Sequence, residues 1–147
     1  MPPAPINGNR YIDLLDELAT FVSTQLGMTL GVNFFIGELP ETGINSVANQ
    51  DVIYFVATPA PAPDMYVDTE TRMLDIYAVS SSSQTAKVLL RRIYDILQRK
   101  GNYTLVNWYV YFSYANSTIR DEDRTQEGSK LFSQSWTLIC RNLNNIS

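Results

Sequence analysis

Two stretches near the end of the chain, TLVNWYVYFSYA (104–115) and LFSQSWTLIC (131–140), restrict the fold more than any other part of it. Both are rich in aromatic and β-branched residues, and both alternate apolar with other positions. An alternation of period two marks a strand that turns one face to a core. In the first stretch Val106, Trp108, Val110, Phe112 and Tyr114 are expected to form that face. In the second the set is Phe132, Trp136, Leu138 and Cys140. Each stretch runs near ten residues, against the usual strand of about five or six. The chain is therefore built around a sheet with long strands at its C-terminal end.

The remaining periodicities supply the other layer. Tyr11, Leu14, Leu15, Leu18, Phe21, Val22 and Leu26 recur at steps of three and four, which predicts a helix over 9–26 that stops at Gly27. GVNFFIGELP reads as a strand in which Val32, Phe34 and Ile36 share a face. DVIYFVAT reads as a strand covered on both faces. The connector PAPAPD cannot donate ladder hydrogen bonds at its prolines. RMLDIYAVS alternates again, with Leu74, Ile76 and Ala78 on one side and Asp75 on the other. The run Ser80–Ser83 is a helix-cap cluster ahead of a second apolar stripe, Ala86, Leu89, Leu90, Ile93, Ile96 and Leu97, with Gly101 as its expected end. The order is helix, three strands, helix, two strands. It predicts an α+β fold, a largely antiparallel sheet of about five strands with two helices on one face. The expected organisation is a flexible arm over 1–8, one domain over 9–142 and a short tail over 143–147.

Composition narrows the chemistry. The 147 residues contain no histidine and one cysteine. Histidine-based triads and cysteine-rich metal sites are thereby excluded, and Cys140 reads as a small buried hydrophobe. No glycine-rich phosphate loop occurs. Counting an EF-hand from Asp121 puts Gln126 where glycine is needed and Phe132 where a bidentate glutamate is needed, so that pattern fails. The expectation is a protein with no catalytic centre, no cofactor and no structural metal. A net charge of −4 argues against general nucleic-acid binding. The polar, proline-rich start lacks the apolar core of a signal peptide, and no apolar run is long enough for a membrane span. Together these predict a soluble protein made in a reducing cytoplasm.

The segment joining the two long strands is the remaining puzzle. Arg120–Lys130 carries seven charges of both signs: Arg120, Asp121, Glu122, Asp123, Arg124, Glu127 and Lys130. A hairpin needs only about two to five connecting residues. A longer two-signed loop suits repeated contact between identical copies, acidic residues of one meeting basic residues of the next. A second candidate surface is the basic side of the second helix, at Lys87, Arg91 and Arg92.

Several of these pieces, taken in order, resemble the tail terminator and minor capsid (head-tail joining) proteins of long-tailed bacteriophages. They are the first helix, the strand ending in GELP, the strand-to-helix run LDIYAVSSSSQTAKVLLRRIYDILQ, and the final pair around DEDRTQEGSKLFSQSWTLICR. The resemblance spans about Asn9 to Arg141; the proline-rich start and the Pro59–Pro63 connector lie outside it. It implies a structural virion protein that forms a ring, commonly of six. Such a ring sits on the head-proximal end of the tail tube, stops tube growth and offers a docking face to the head connector. The implied partners are further copies of the chain, the tail tube protein and the connector or head-closure protein, with DNA passing only through the lumen. The implied location is the virion neck, after assembly in the host cytoplasm. Arg120–Lys130 is the implied lumen or ring-contact element. Another neck component, for tail completion or head closure, is the alternative. Less in keeping with the pattern is a small-ligand-binding α+β domain.

Overall fold

The computed structural model describes residues 13–37, 51–62, 69–98, 100–122 and 129–143. The expected arm over 1–8, the end of the GELP strand and residues 144–147 lie outside them. The elements are α1 (Leu14–Leu26), β1 (Phe34–Ile36), β2 (Val52–Thr58), β3 (Glu70–Ser80), α2 (Ser83–Leu97), β4 (Lys100–Thr104), β5 (Trp108–Ala115), β6 (Arg120–Asp121) and β7 (Lys130–Asn142). The strands form one seven-stranded sheet in the order β1-β2-β3-β7-β5-β4, with β6 also paired to β7. Among the described strands β1 and β2 pair in parallel, and the other strand pairings are antiparallel. The α+β class holds, with seven strands where about five were expected. The two additional strands, β4 and β6, are short and polar, and neither has the apolar alternation that reveals a strand in sequence.

Both helices begin and end where local chemistry demands. Asp13 caps α1, its carboxylate accepting the Leu15 N–H at 3.2 Å. Gly27, at φ +73°, closes that helix, and Met28 N–H reaches back to the Ser23 carbonyl. This left-handed turn suits glycine because no Cβ obstructs it. Ser82 caps α2 by accepting the Thr85 N–H at 3.3 Å. That helix ends at Leu97, before the expected Gly101. Gly101 lies in β4, where an added Cβ would stand 2.9 Å from the Tyr111 carbonyl oxygen.

One core lies between the helices and the sheet. It takes Leu14, Leu18 and Val22 from α1, Leu89, Leu90 and Ile93 from α2, and Leu74, Ile76, Val110, Trp136 and Leu138 from the sheet. Cys140 is buried in it. On the opposite sheet face a smaller cluster of Val52, Tyr54, Val79 and Leu131 covers β2, so β2 is buried on both sides as its sequence predicts.

The expected apolar face of the first long strand is corrected. Val110 pairs with Cys140, but Phe112 pairs with Ile139, so β5 carries one extra residue at Tyr111. This β-bulge reverses the alternation beyond it. Ser113 turns inward, its hydroxyl donating to the Leu97 carbonyl at 2.6 Å, while Phe112 and Tyr114 are 58% and 39% exposed. Val106 falls in the β4–β5 turn and is 84% exposed. Val32 is also exposed, because β1 begins only at Phe34.

Ile93 is fully buried where α2 meets the sheet. Ile93→Asp puts a carboxylate there without a partner, at a cost of at least about 3 kcal/mol. Domains of this kind hold only about 5–15 kcal/mol in total. The variant should be insoluble or melt far below the parent by circular dichroism; an unchanged melting temperature would contradict this core.

Candidate protein interface

The base of the charged hairpin is ordered, and its charges divide between the two faces of the sheet. Arg120 pairs with Ser133 and Asp121 with Phe132 across β6–β7. The Glu122 N–H extends the ladder to the Leu131 carbonyl at 3.0 Å. Alternation then sends Arg120 and Glu122 to the face away from the helices. There Arg120 donates to the Ser133 hydroxyl from Nε at 3.3 Å and from Nη2 at 3.1 Å. The Ser133 hydroxyl in turn donates to Glu122 Oε1. Arg120 also lies 3.5 Å from Glu122 and 3.8 Å from Asp75, and Ser135 donates to Asp75 at 2.6 Å. Arg120 therefore serves two carboxylates and a buried serine of its own chain. Arg120 and Glu122 act first as a clamp on the hairpin base, and only secondarily as surface charges.

Asp121 and Lys130 are exposed. Lys130 stands at the start of β7, opposite Ser80. Asp123, Arg124 and Glu127 lie outside the described residues.

The basic side of α2 comes to the same corner of the molecule. The Lys87 ammonium sits 5.2 Å from the centre of the Phe132 ring, and Phe132 is the register partner of Asp121. Arg91 lies over Tyr94 at 4.6 Å and pairs with Asp95 at 3.4 Å, both partners well exposed. Arg92 is exposed beside it. Arg91 and Tyr94 also share a recess of about 400 Å³ with Ser117, Thr118, Ile119 and Gln134. The two candidate surfaces, distant in sequence, thus adjoin along the join between α2 and β6. Isolated exposed ion pairs such as Arg91–Asp95 contribute only about 0–1 kcal/mol to stability.

A second feature was not foreseen. A groove of about 580 Å³ runs between the first turns of α1 and the β4–β5 turn, lined by Asp16, Thr20, Phe21, Leu105 and Val106. Glu17 fixes its floor, accepting from Asn107 N–H at 2.7 Å and from Asn107 Nδ2 at 2.6 Å. The period-two reading counted Val106 as core and so hid this groove. The tetrad Leu105–Trp108, closed by the Leu105 N–H to Trp108 carbonyl bond at 2.8 Å, was the missed turn.

Among the described residues no group of three or more histidine, cysteine or acidic side chains is placed to hold a metal ion. No described helix is long and apolar enough to cross a membrane. Burial, with the Glu70 carboxylate nearby, pushes the Cys140 thiol up to about 12 from 9.0. Burial likewise pushes the Tyr103 phenol up to about 12 from 10.0. A thiol so held is protonated at neutral pH and a poor nucleophile.

For both groups the folded pKa exceeds the unfolded one, so the neutral form favours folding. Their contribution is full below about pH 9 and is lost as pH climbs through 9 to 12. Cys140 should react with a thiol reagent at pH 8 only after denaturation, and the melting temperature should fall across that alkaline window. Rapid labelling of the folded protein would contradict the burial of this side chain.

No family model matches the sequence, and no curated protein does. Among solved structures the chain is similar to one from the virion of a native gene transfer agent particle, with a TM-score of 0.50 and 12% identity. The match covers 95% of this chain and 93% of that one, so the two share a fold over nearly their whole lengths.

Proposed function

We propose that this chain is a structural protein of a phage-like virion. In this reading it forms a ring, of six copies, at the head-proximal end of a tail tube, where it halts tube polymerisation and presents a docking face to the head connector. The observation that carries the reading is the correspondence of fold, over 95% of this chain and 93% of the other, with a chain of a virion particle. The resemblance of its order of helices and strands to that of tail terminator and head-tail joining proteins supports it. Its mechanism is interface chemistry rather than catalysis. It needs no cofactor, and its partners are copies of itself, the tube protein and the connector. Another neck role, tail completion or head closure, would draw on the same surfaces.

Arg120 and Glu122 are held by contacts within the chain; in this reading the ring contact is given to Arg124 and Lys130, with Lys87, Arg91 and Arg92 as the second candidate surface. Around a closed ring each charge pair recurs at every interface, and opposite charges fix orientation and register.

Reversing Arg124 and Lys130 to Glu should leave the far-ultraviolet spectrum and melting temperature nearly unchanged while abolishing ring assembly. Assembly of the parent should weaken as salt rises, because exposed pairs are screened. Tails assembled with the double variant should lose length control. Normal tails joined to heads would refute the role given to the hairpin and shift the contact to α2.

A further inference from the structure

The Arg120 side chain leaves its own strand and reaches toward the middle of the sheet. Its strand, β6, is two residues long and pairs with β7. Strands usually run about three to ten residues, so a ladder this short fixes little by itself. From β6 the guanidinium crosses β7 to lie 3.8 Å from Asp75 on β3. Two strand steps separate β6 from β3, about 10 Å at the usual spacing, and a long side chain laid along the sheet spans them.

What β7 presents on that face is small. Ser133 is fully buried, and Ser135 follows it. The other odd positions of the strand hold the larger Leu131, Thr137 and Ile139. The guanidinium nitrogens rest 3.3 and 3.1 Å from the Ser133 oxygen, in space that a side chain of leucine size would take. The same hydroxyl donates to Glu122, so one buried oxygen joins both charged residues of the hairpin base. Ser135 donates to Asp75 at 2.6 Å and fixes the far carboxylate. These carboxylates are sheltered: the side chains of Asp75 and Glu122 are 21% and 25% exposed, against 62% for Asp95 on α2. Sheltered pairs are screened less by salt than open ones, so this network holds one geometry where a surface pair would not.

We propose that Ser133 aims the charged hairpin. It is a positioning residue: buried within its own subunit, it sets through Arg120 and Glu122 the course of the chain toward Arg124, two residues beyond Glu122. The inference rests on the ring reading above, in which Arg124 meets a neighbouring copy. A contact residue carried on a loop is precise only when its base is held by supporting hydrogen bonds. In a ring any error of direction recurs at every interface.

The test uses the full chain with Ser133→Ala, with Arg120→Ala and with the two combined. Circular dichroism should show all three folded, with melting temperatures close to the parent's. Amide hydrogen exchange, measured on the dilute monomer, should quicken by about tenfold or more at Glu122, the effect of losing a hydrogen bond to a charged group. In the parent the Leu131 carbonyl holds that amide. Amides that join β3 to β7 should keep the parent rate. The combined variant should exchange no faster than Arg120→Ala alone, because residues of one network act as a unit. Ring assembly should weaken in all three. Unchanged exchange at Glu122 in both single variants would overturn the clamp. Faster exchange with unimpaired rings would overturn the aiming role and leave the ring reading standing. A parent that stays monomeric at every concentration would overturn the ring reading and the aiming role together, while exchange would still decide the clamp. Should Ser133→Ala fail to fold, Arg120→Ala, at a side chain 41% exposed, carries the exchange and assembly measurements.

Discussion

The pairing of β3 with β7 is the interaction on which the rest of the structure depends. It runs in unbroken antiparallel register from Glu70 with Cys140 to Ser80 with Lys130. Both strands turn an apolar row toward the helices, Leu74, Ile76 and Ala78 against Phe132, Trp136 and Leu138, interrupted on β7 by the buried Gln134 opposite Ile76. A one-residue slip would move that entire row to the other face, so the register is strongly specified. β2 joins on one side of this pair, and β5 and β6 join on the other. α2 lies on the row the pair presents, and α1 packs beside it on β1 and β2. Even α1 is anchored to it from a distance, through Arg72 of β3, which reaches the capping Asp13 at 2.6 Å.

Which strands pair was not legible in the sequence. The core faces of β3 and β7 were, because their apolar residues keep one period, Gln134 excepted. The same holds for both helix stripes, for the caps at Gly27 and Ser82, and for the core position of Cys140. The reading failed where a local irregularity broke the period. Tyr111 adds a residue to β5, so everything after it changes face, and Phe112 and Tyr114 emerge at the surface. A bulge leaves no mark in composition, since Tyr111 looks like any other strand residue. Val106 was misplaced because a four-residue turn without glycine or proline interrupts the strand. Gly101 has the look of a helix stop, yet its smallness serves a close passage by the Tyr111 carbonyl.

The candidate interface divides in the same way. The charge of the hairpin is plain in the sequence, but not the alternation that commits Arg120 and Glu122 to Asp75 and Ser133. Nor does sequence separation show that Lys87 stands over Phe132, beside the hairpin base. Long-range placement of this sort follows from sheet order, which periodicity does not encode. The structure thus turns two unrelated charged segments into one corner. It also exposes a groove between α1 and the β4–β5 turn, toward the Asn142 end of β7 and away from that corner.

Assembly into a closed ring is the central claim, and native mass spectrometry of the purified chain tests it most directly. At low ionic strength the account predicts a single closed species at six times the 16.6 kDa subunit mass, giving way to monomer as salt rises. A monomer at every concentration and ionic strength, or an open ladder of oligomers with no preferred size, would contradict it.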